Sequence, residues 1–239
     1  MMKILKSLIL SACMFVGGSA VAETSYMFDN PDNKAYFGVR VGVDISSAAN
    51  GGGNYSSNAG FAAGAVYNIP LFMNLYFEPG LSFFYNTFGT NKWNSYVPES
   101  TISPANPEGT EVLYQVEGNI RNFGFRVPLI IGFHFDFYED LKVNVFTGPQ
   151  ANINLYSHYK VTDAMAPDKN MPDHDGSLFG TDGFKHVDLQ WAFGVGLTYQ
   201  TYYVGLNGAW GITQMKSSTL MLPRNLRRNL FSITLGYNF

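Results

Sequence analysis

A two-residue period recurs in eight separate segments of this chain, and it limits the fold more than any other feature does. Successive side chains of an extended strand point to opposite faces, so each segment has one apolar face and one small or polar face. The first puts Phe37, Val39, Val41, Val43 and Ile45 opposite Gly38, Arg40, Gly42, Asp44 and Ser46. The second, over 58–69, sets Phe61, Ala63, Ala65 and Tyr67 against Gly60, Ala62 and Gly64. The third, over 73–86, sets Leu75, Phe77, Leu81, Phe83 and Tyr85 against Asn74, Tyr76, Glu78, Gly80 and Ser82. The fourth, over 120–135, lines up Phe123, Phe125, Val127, Leu129, Ile131, Phe133 and Phe135. The fifth, over 141–156, opposes Val143, Val145, Ile153 and Leu155 to Asn144, Gln150, Asn152 and Asn154. The sixth, over 187–199, opposes Leu189, Trp191, Phe193, Val195 and Leu197 to Asp188, Gln190, Gly194, Gly196 and Thr198. The seventh, over 202–213, sets Val204, Leu206, Trp210 and Ile212 against Gly205, Asn207 and Gly211. The eighth ends the chain, with Phe231, Ile233, Leu235, Tyr237 and Phe239 opposite Ser232, Thr234, Gly236 and Asn238.

The connections alternate long and short without exception. They span 47–57, 70–72, 87–119, 136–140, 157–186, 200–201 and 214–228. This predicts an eight-stranded antiparallel up-and-down transmembrane β-barrel, with long loops outside and short turns and both termini in the periplasm. Closure pairs the last strand with the first and removes an apolar free edge. The closing strand, Phe231 to Phe239, also has the form of a C-terminal signal for the barrel assembly machinery. A mean hydropathy of −0.03 is no objection, because a barrel hides its lipid face in alternation.

A soluble barrel would turn the apolar face into a core. The apolar face here is large and aromatic, and the opposite face is rich in Gly and Ala, which suits a narrow barrel interior. Only 14% of residues are charged, against a typical 25% or so. Tyr67, Phe72, Tyr76, Phe135, Phe137, Tyr138, Tyr199, Tyr202, Tyr203 and Tyr237 fall near the short turns or the C-terminus. That placement predicts an interfacial aromatic girdle.

The N-terminus carries Lys3 and Lys6, an apolar run from Leu8 to Val16 and a small-residue exit at Ala20-Val21-Ala22. It reads as a signal peptide over 1–22, followed by a short periplasmic segment over 23–34 and the barrel over 35–239. Leu10-Ser11-Ala12-Cys13 competes as a lipoprotein box that would leave Cys13 acylated, but the residues after it still read as signal core. Cleavage before Glu23 removes Cys13, the one cysteine, and with it thiol chemistry and disulfides. It also removes Lys3 and Lys6, so that 15 basic residues become 13 against 18 acidic ones, a net charge of −5. No basic stripe suggests nucleic acid.

Parity places Arg40, Asp44, Glu78, Arg126 and Asp188 in the lumen. Buried charges need partners, so these residues predict an ion-pair network. As a plug it closes the barrel; as a gate it makes a slow small-solute pore, for which an eight-stranded interior leaves little room. Pro79, Pro128 and Pro149 lack a ladder donor and predict bulges or bends.

The loop over 157–186 holds Asp163, Asp168, Asp173, Asp175 and Asp182 with His158, His174 and His186. Asp173-His174-Asp175-Gly176 lacks the further ligands and closing Glu of a calcium loop, so no metal and no cofactor is expected. A lipid-modifying barrel enzyme would draw on those histidines with Ser157, Ser177 or a loop Asp, yet no spacing fixes a nucleophile beside its base, and strand-borne His134 has no evident nucleophile. Lys216, Arg224, Arg227 and Arg228 suit contact with lipopolysaccharide phosphates or an acidic partner.

Four segments, Phe77-Glu78-Pro79-Gly80-Leu81-Ser82, Phe125-Arg126-Val127-Pro128-Leu129-Ile130, Phe146-Thr147-Gly148-Pro149 and Phe193-Gly194-Val195-Gly196-Leu197-Thr198-Tyr199, give most of the barrel region a further likeness. With the C-terminal strand they resemble the PorT-type outer-membrane β-barrel family, common in the Bacteroides lineage. The resemblance implies an eight-stranded barrel and an outer-membrane address, and its founding member is linked to protein secretion. The expected role is a non-enzymatic structural or interaction barrel working through its loops, with an envelope protein as partner. An accessory role in a secretion machine and a lipid-modifying activity are the alternatives.

Overall fold

The alternation closes on itself. The computed structural model describes residues 34–49, 55–98, 111–138, 140–165, 175–177, 179, 185–215 and 227–239. The expected signal peptide, the segment 23–34 apart from Lys34, and Lys216 and Arg224 lie outside the described residues. The strands are β1 (Tyr36–Ala49), β2 (Tyr55–Pro70), β3 (Leu75–Pro98), β4 (Glu111–Tyr138), β5 (Leu141–Met165), β6 (Asp175–Ser177), β7 (Val187–Tyr199), β8 (Tyr202–Gly211) and β9 (Arg227–Asn238). Eight of them form a closed antiparallel barrel in the order β1-β2-β3-β4-β5-β7-β8-β9, and β9 returns to β1 from Gly38–Asn238 to Ala49–Arg227. The three-residue β6 pairs only with His158 to Lys160 of β5.

The register fixes the tilt. Asn154 of β5 stands opposite Gly124, and that row continues through Phe84, Ala62, Gly42, Thr234, Gly205 and Gly196 to return to β5 at Asn144, ten residues from where it began. A shear of about ten over eight strands tilts them by about 40°, so each residue advances roughly 2.5 Å along the barrel axis. The ten residues of β8 therefore cover about 25 Å, the height of an outer-membrane apolar band.

Both faces follow the alternation. Phe37, Val39, Val41, Val43 and Ile45 point outward and are exposed, as are Val204 and Leu206 on β8 and Leu235 on β9, while Arg40, Asp44 and Ser46 are buried inside. Tyr76 and Tyr203, expected in the girdle, point inward and are buried at 3% and 8% exposure. Each stands one position from an outward residue, Phe77 or Val204, so the two-residue period overrides proximity to a turn. Tyr67, Phe72, Phe135, Phe137, Tyr199, Tyr202 and Tyr237 are exposed at that end.

Two further expectations are corrected. The connections over 87–119 and 157–186 are shorter than the alternation implies, because β3 runs on to Pro98, β4 starts at Glu111 and β5 reaches Met165. Beyond the bilayer neither sheet face meets lipid, so strand pairing persists there without the apolar alternation that marks it in sequence. The three prolines carry no register shift: the ladders beside Pro79, Pro128 and Pro149 keep one register on both sides. A bulge needs an extra residue, whereas proline only subtracts a donor. The shifts fall instead between Ser57 and Phe61, Thr90 and Trp93, Glu117 and Gly118, Phe123 and Gly124, and Asp136 and Tyr138.

The β7–β8 hairpin turns on Gln200 and Thr201, and Gln200 holds a φ of 53°. A side chain in that left-handed region costs about 1–2 kcal/mol. Gln200→Gly is expected to raise the urea midpoint of the folded barrel by the equivalent of about 1 kcal/mol. An unchanged or lower midpoint would show that the Gln200 Nε2 bond to Asp140 Oδ2, at 3.3 Å, outweighs the backbone strain.

Candidate functional site

The interior is layered. Near the turns, Arg40 of β1 sits with its guanidinium 4.2 Å from the Tyr203 ring centroid and 4.0 Å from Glu78 Oε2. Asn68 Nδ2 donates to the same Glu78 oxygen at 3.2 Å. Glycines make the room. A Cβ at Gly38 or Gly236 would come within 2.6 Å of Arg40, and one at Gly196 within 2.6 Å of the Tyr203 ring. Beside this layer Tyr76 stacks on His134 at 4.2 Å, His134 Nδ1 meets Asn144 Oδ1 at 2.5 Å, and Asn144 Nδ2 donates to Thr198 at 2.9 Å.

The next layer is apolar. Ile130, Ala192, Ala209 and Leu230 cluster with Phe146 against them. They form part of the wall of a cavity of about 110 Å³ that also touches Arg40, Glu78, Asp44, Arg126 and Asn207. Arg40 Nη2, Asp44 Oδ1 and Asn207 Oδ1 are buried without a hydrogen-bond partner among the described residues. With these three polar atoms on its largely apolar wall, a cavity of this size suits a few ordered waters.

Above it lies the main network. Arg126 Nη2 donates to Asp44 Oδ2 at 2.8 Å, and its Nε donates to Asn152 Oδ1 at 3.3 Å. Asn152 and Asn154 each donate to Asp188 at 2.9 Å. Arg228 Nη2 donates to Asp188 Oδ2 at 2.8 Å. The Phe84 ring lies between the two arginines, 5.3 Å from the Arg126 guanidinium and 4.9 Å from that of Arg228. Gln190 accepts from Gln150 at 2.8 Å and donates to the Arg228 carbonyl at 2.8 Å. At the end opposite the turns, Phe88, Ile120 and Met215 are buried apolar residues, and Ser157 donates to Asn122 at 2.5 Å.

All five residues expected in the lumen lie there, in two groups: Arg40 with Glu78, and Asp44 with Arg126, the second group linked to Asp188 through Asn152. Arg228 is the correction. Expected on a surface loop in contact with lipopolysaccharide, it is 2% exposed inside the barrel, because β9 begins at Arg227. Counting back in twos from Ser232 through Leu230 puts Arg228 on the inward face, so the period contains the signal. Arg227, one position earlier, is exposed. Phe84, Gln190 and Asn154 also belong to the site.

Of the histidines named from sequence, His158 stacks on Tyr156 at 5.4 Å and His186 on Phe179 at 4.1 Å. His174 lies outside the described residues.

The model of a family described as outer membrane protein beta-barrel domain matches residues 25–217. No curated protein matches the chain. Among solved structures the chain is similar to Ail, the attachment invasion locus protein of Yersinia pestis, in complex with the heparin analogue sucrose octasulfate, at 13% identity and a TM-score of 0.39, covering 87% of this chain and 100% of that one. It is similar to neisserial surface protein A at 12% identity and a TM-score of 0.40, with 87% and 100% covered. It is also similar to LpxR from Salmonella typhimurium at 8% identity and a TM-score of 0.27, with 86% and 100% covered.

Proposed function

Because the chain belongs to the outer membrane protein beta-barrel domain family, we propose that it is a non-enzymatic structural and interaction barrel, closed along its axis and engaging an envelope partner through its tall hairpins. The crossed interior carries this reading. Arg126–Asp44 crosses the lumen from β4 to β1, Arg228–Asp188 joins β9 to β7 over β8, and Asn152 links the two pairs. The height difference supports the rest: β3, β4 and β5 have 24, 28 and 25 residues against 10 in β8.

In this reading the tall side faces outward from the cell and the turns and termini face the periplasm. Phe231, Ile233, Leu235, Tyr237 and Phe239 serve the barrel assembly machinery. The PorT-type resemblance supplies a narrower form, in which the partner belongs to a secretion machine.

The test compares the tagged protein, drawn from mildly solubilised outer membranes, with a variant whose residues 93–116 are replaced by a two-residue turn. The expected result is a stoichiometric envelope partner that the trimmed barrel loses while keeping its heat-shifted gel band. Planar bilayers should show no steady conductance. A full-length barrel that emerges alone, or a sustained current, overturns the proposal. Normal export of secreted proteins after deletion removes the narrower form alone.

A further inference from the structure

One part of the outer surface combines three chemistries in register. Phe61, Tyr85, Phe123 and Tyr156 form a cross-strand row over β2, β3, β4 and β5. Two pairs of rings stack within it, with centroids 5.8 Å apart for Phe61 and Tyr85 and 5.0 Å for Phe123 and Tyr156. Phe83 and Phe125 lie on the turn side of this row, 6.2 Å apart. On the other side, Thr87, Arg121 and His158 form the next outward row.

Depth gives the pattern its meaning. Phe133 of β4 is exposed near the turn end, and Phe123 is ten residues away along the strand. At roughly 2.5 Å per residue that interval is about 25 Å, the full apolar band. Arg121, two residues beyond Phe123 and exposed, stands about 5 Å above the band's edge, at the level of lipid headgroups. The aromatic row lies at the boundary itself, where amphipathic rings settle.

Both ends of the wall expose charged side chains. The turn end exposes Lys34, Asp136 and Asp140, with Lys142 Nζ 3.8 Å from Asp136. Among the described residues the opposite rim exposes Arg121, Lys185 and Arg227, and of these Arg121 stands in the row next to the aromatic one. An anion above this aromatic shelf meets the Arg121 guanidinium, and a guanidinium pairs with phosphate through two parallel donors.

We infer that Arg121, flanked by Thr87 and His158 above the Tyr85–Phe123–Tyr156 shelf, holds a phosphate of lipopolysaccharide, with an acyl chain lying over Phe83 and Phe125. This rests on the orientation proposed above, which places the tall side in the outer leaflet. The assignment moves lipid recognition from Arg228, which is buried, to a strand-borne arginine on the outside of the barrel wall.

The folded full-length protein in micelles is mixed with lipid A, and retained lipid is read by native mass spectrometry. Arg121→Gln is expected to lower lipid A retention about tenfold, the loss of one charge-assisted contact. Tyr156→Ala should lower it less. Because both side chains are on the surface, the heat-shifted band should persist. Equal retention by Arg121→Gln, or equal retention of fully dephosphorylated lipid A, overturns the phosphate site. Phosphatidylglycerol held as tightly as lipid A overturns the lipopolysaccharide assignment. Protease access to the tall hairpins in intact cells tests orientation separately, so failure of the orientation and failure of the site give different results.

Discussion

Asp188→Ala should be among the most damaging single substitutions in this barrel. Asp188 is 2% exposed and accepts from Arg228, Asn152 and Asn154. Removing it leaves the Arg228 guanidinium, with a side chain 1% exposed, without its carboxylate. Breaking a buried pair from one side costs about 3–5 kcal/mol. The urea midpoint of barrels folded into vesicles should fall accordingly. The double variant Asp188→Leu with Arg228→Met should recover much of the loss, since replacing both charges by apolar groups of similar size is often close to neutral. Glu78→Gln should cost less, because Arg40 stands 4.0 Å from Glu78 and also rests on Tyr203. A wild-type midpoint for Asp188→Ala would mean that water reaches Arg228 and that the interior is not sealed.

The second large effect comes from the opposite face. Leu206 is 46% exposed and lies in register with Val195 and Ile233. It is four residues from Tyr202 and six from Ile212, about 10 Å and 15 Å along the axis, which places it near the middle of the apolar band. Leu206→Arg should therefore cost about 2–4 kcal/mol of folded stability in a bilayer. On a water-exposed wall the same change stays within about 0.5 kcal/mol. Urea unfolding in vesicles separates the two cases, and a neutral result would contradict a lipid-facing wall.

Much of the barrel is legible in the sequence because its two surroundings enforce the period. Val39, Val41 and Val43 alternate with Arg40, Gly42 and Asp44 because one face meets lipid and the other a narrow interior. Where lipid ends, the signal ends: Trp93 to Pro98 and Glu111 to Val116 pair as strands with no clear split into apolar and polar faces to announce them. The charged interior is legible as membership but not as partnership. Parity puts Arg126 and Asp44 inside, yet only closure brings β4 across to β1. Arg228 escapes a reading that groups it with nearby basic residues as a loop, although its parity with Ser232 is continuous. Tyr76 and Tyr203 show the reverse error, in which nearness to a turn outweighs the face on which each residue stands.

Gly38 and Asn238, paired across the seam where β9 meets β1, are 200 positions apart in the chain. Contacts this distant in sequence form slowly, because the intervening chain must be ordered before they are rewarded. Every other pairing around the barrel joins strands that follow one another in the chain, the short β6 aside. Folding is therefore limited by one late zippering event, and until it occurs both terminal strands expose unpaired backbone that lipid cannot satisfy. Once formed, the seam runs from Gly38–Asn238 to Ala49–Arg227, a longer ladder than that between β8 and β9, so the join that forms last is not the one that holds least.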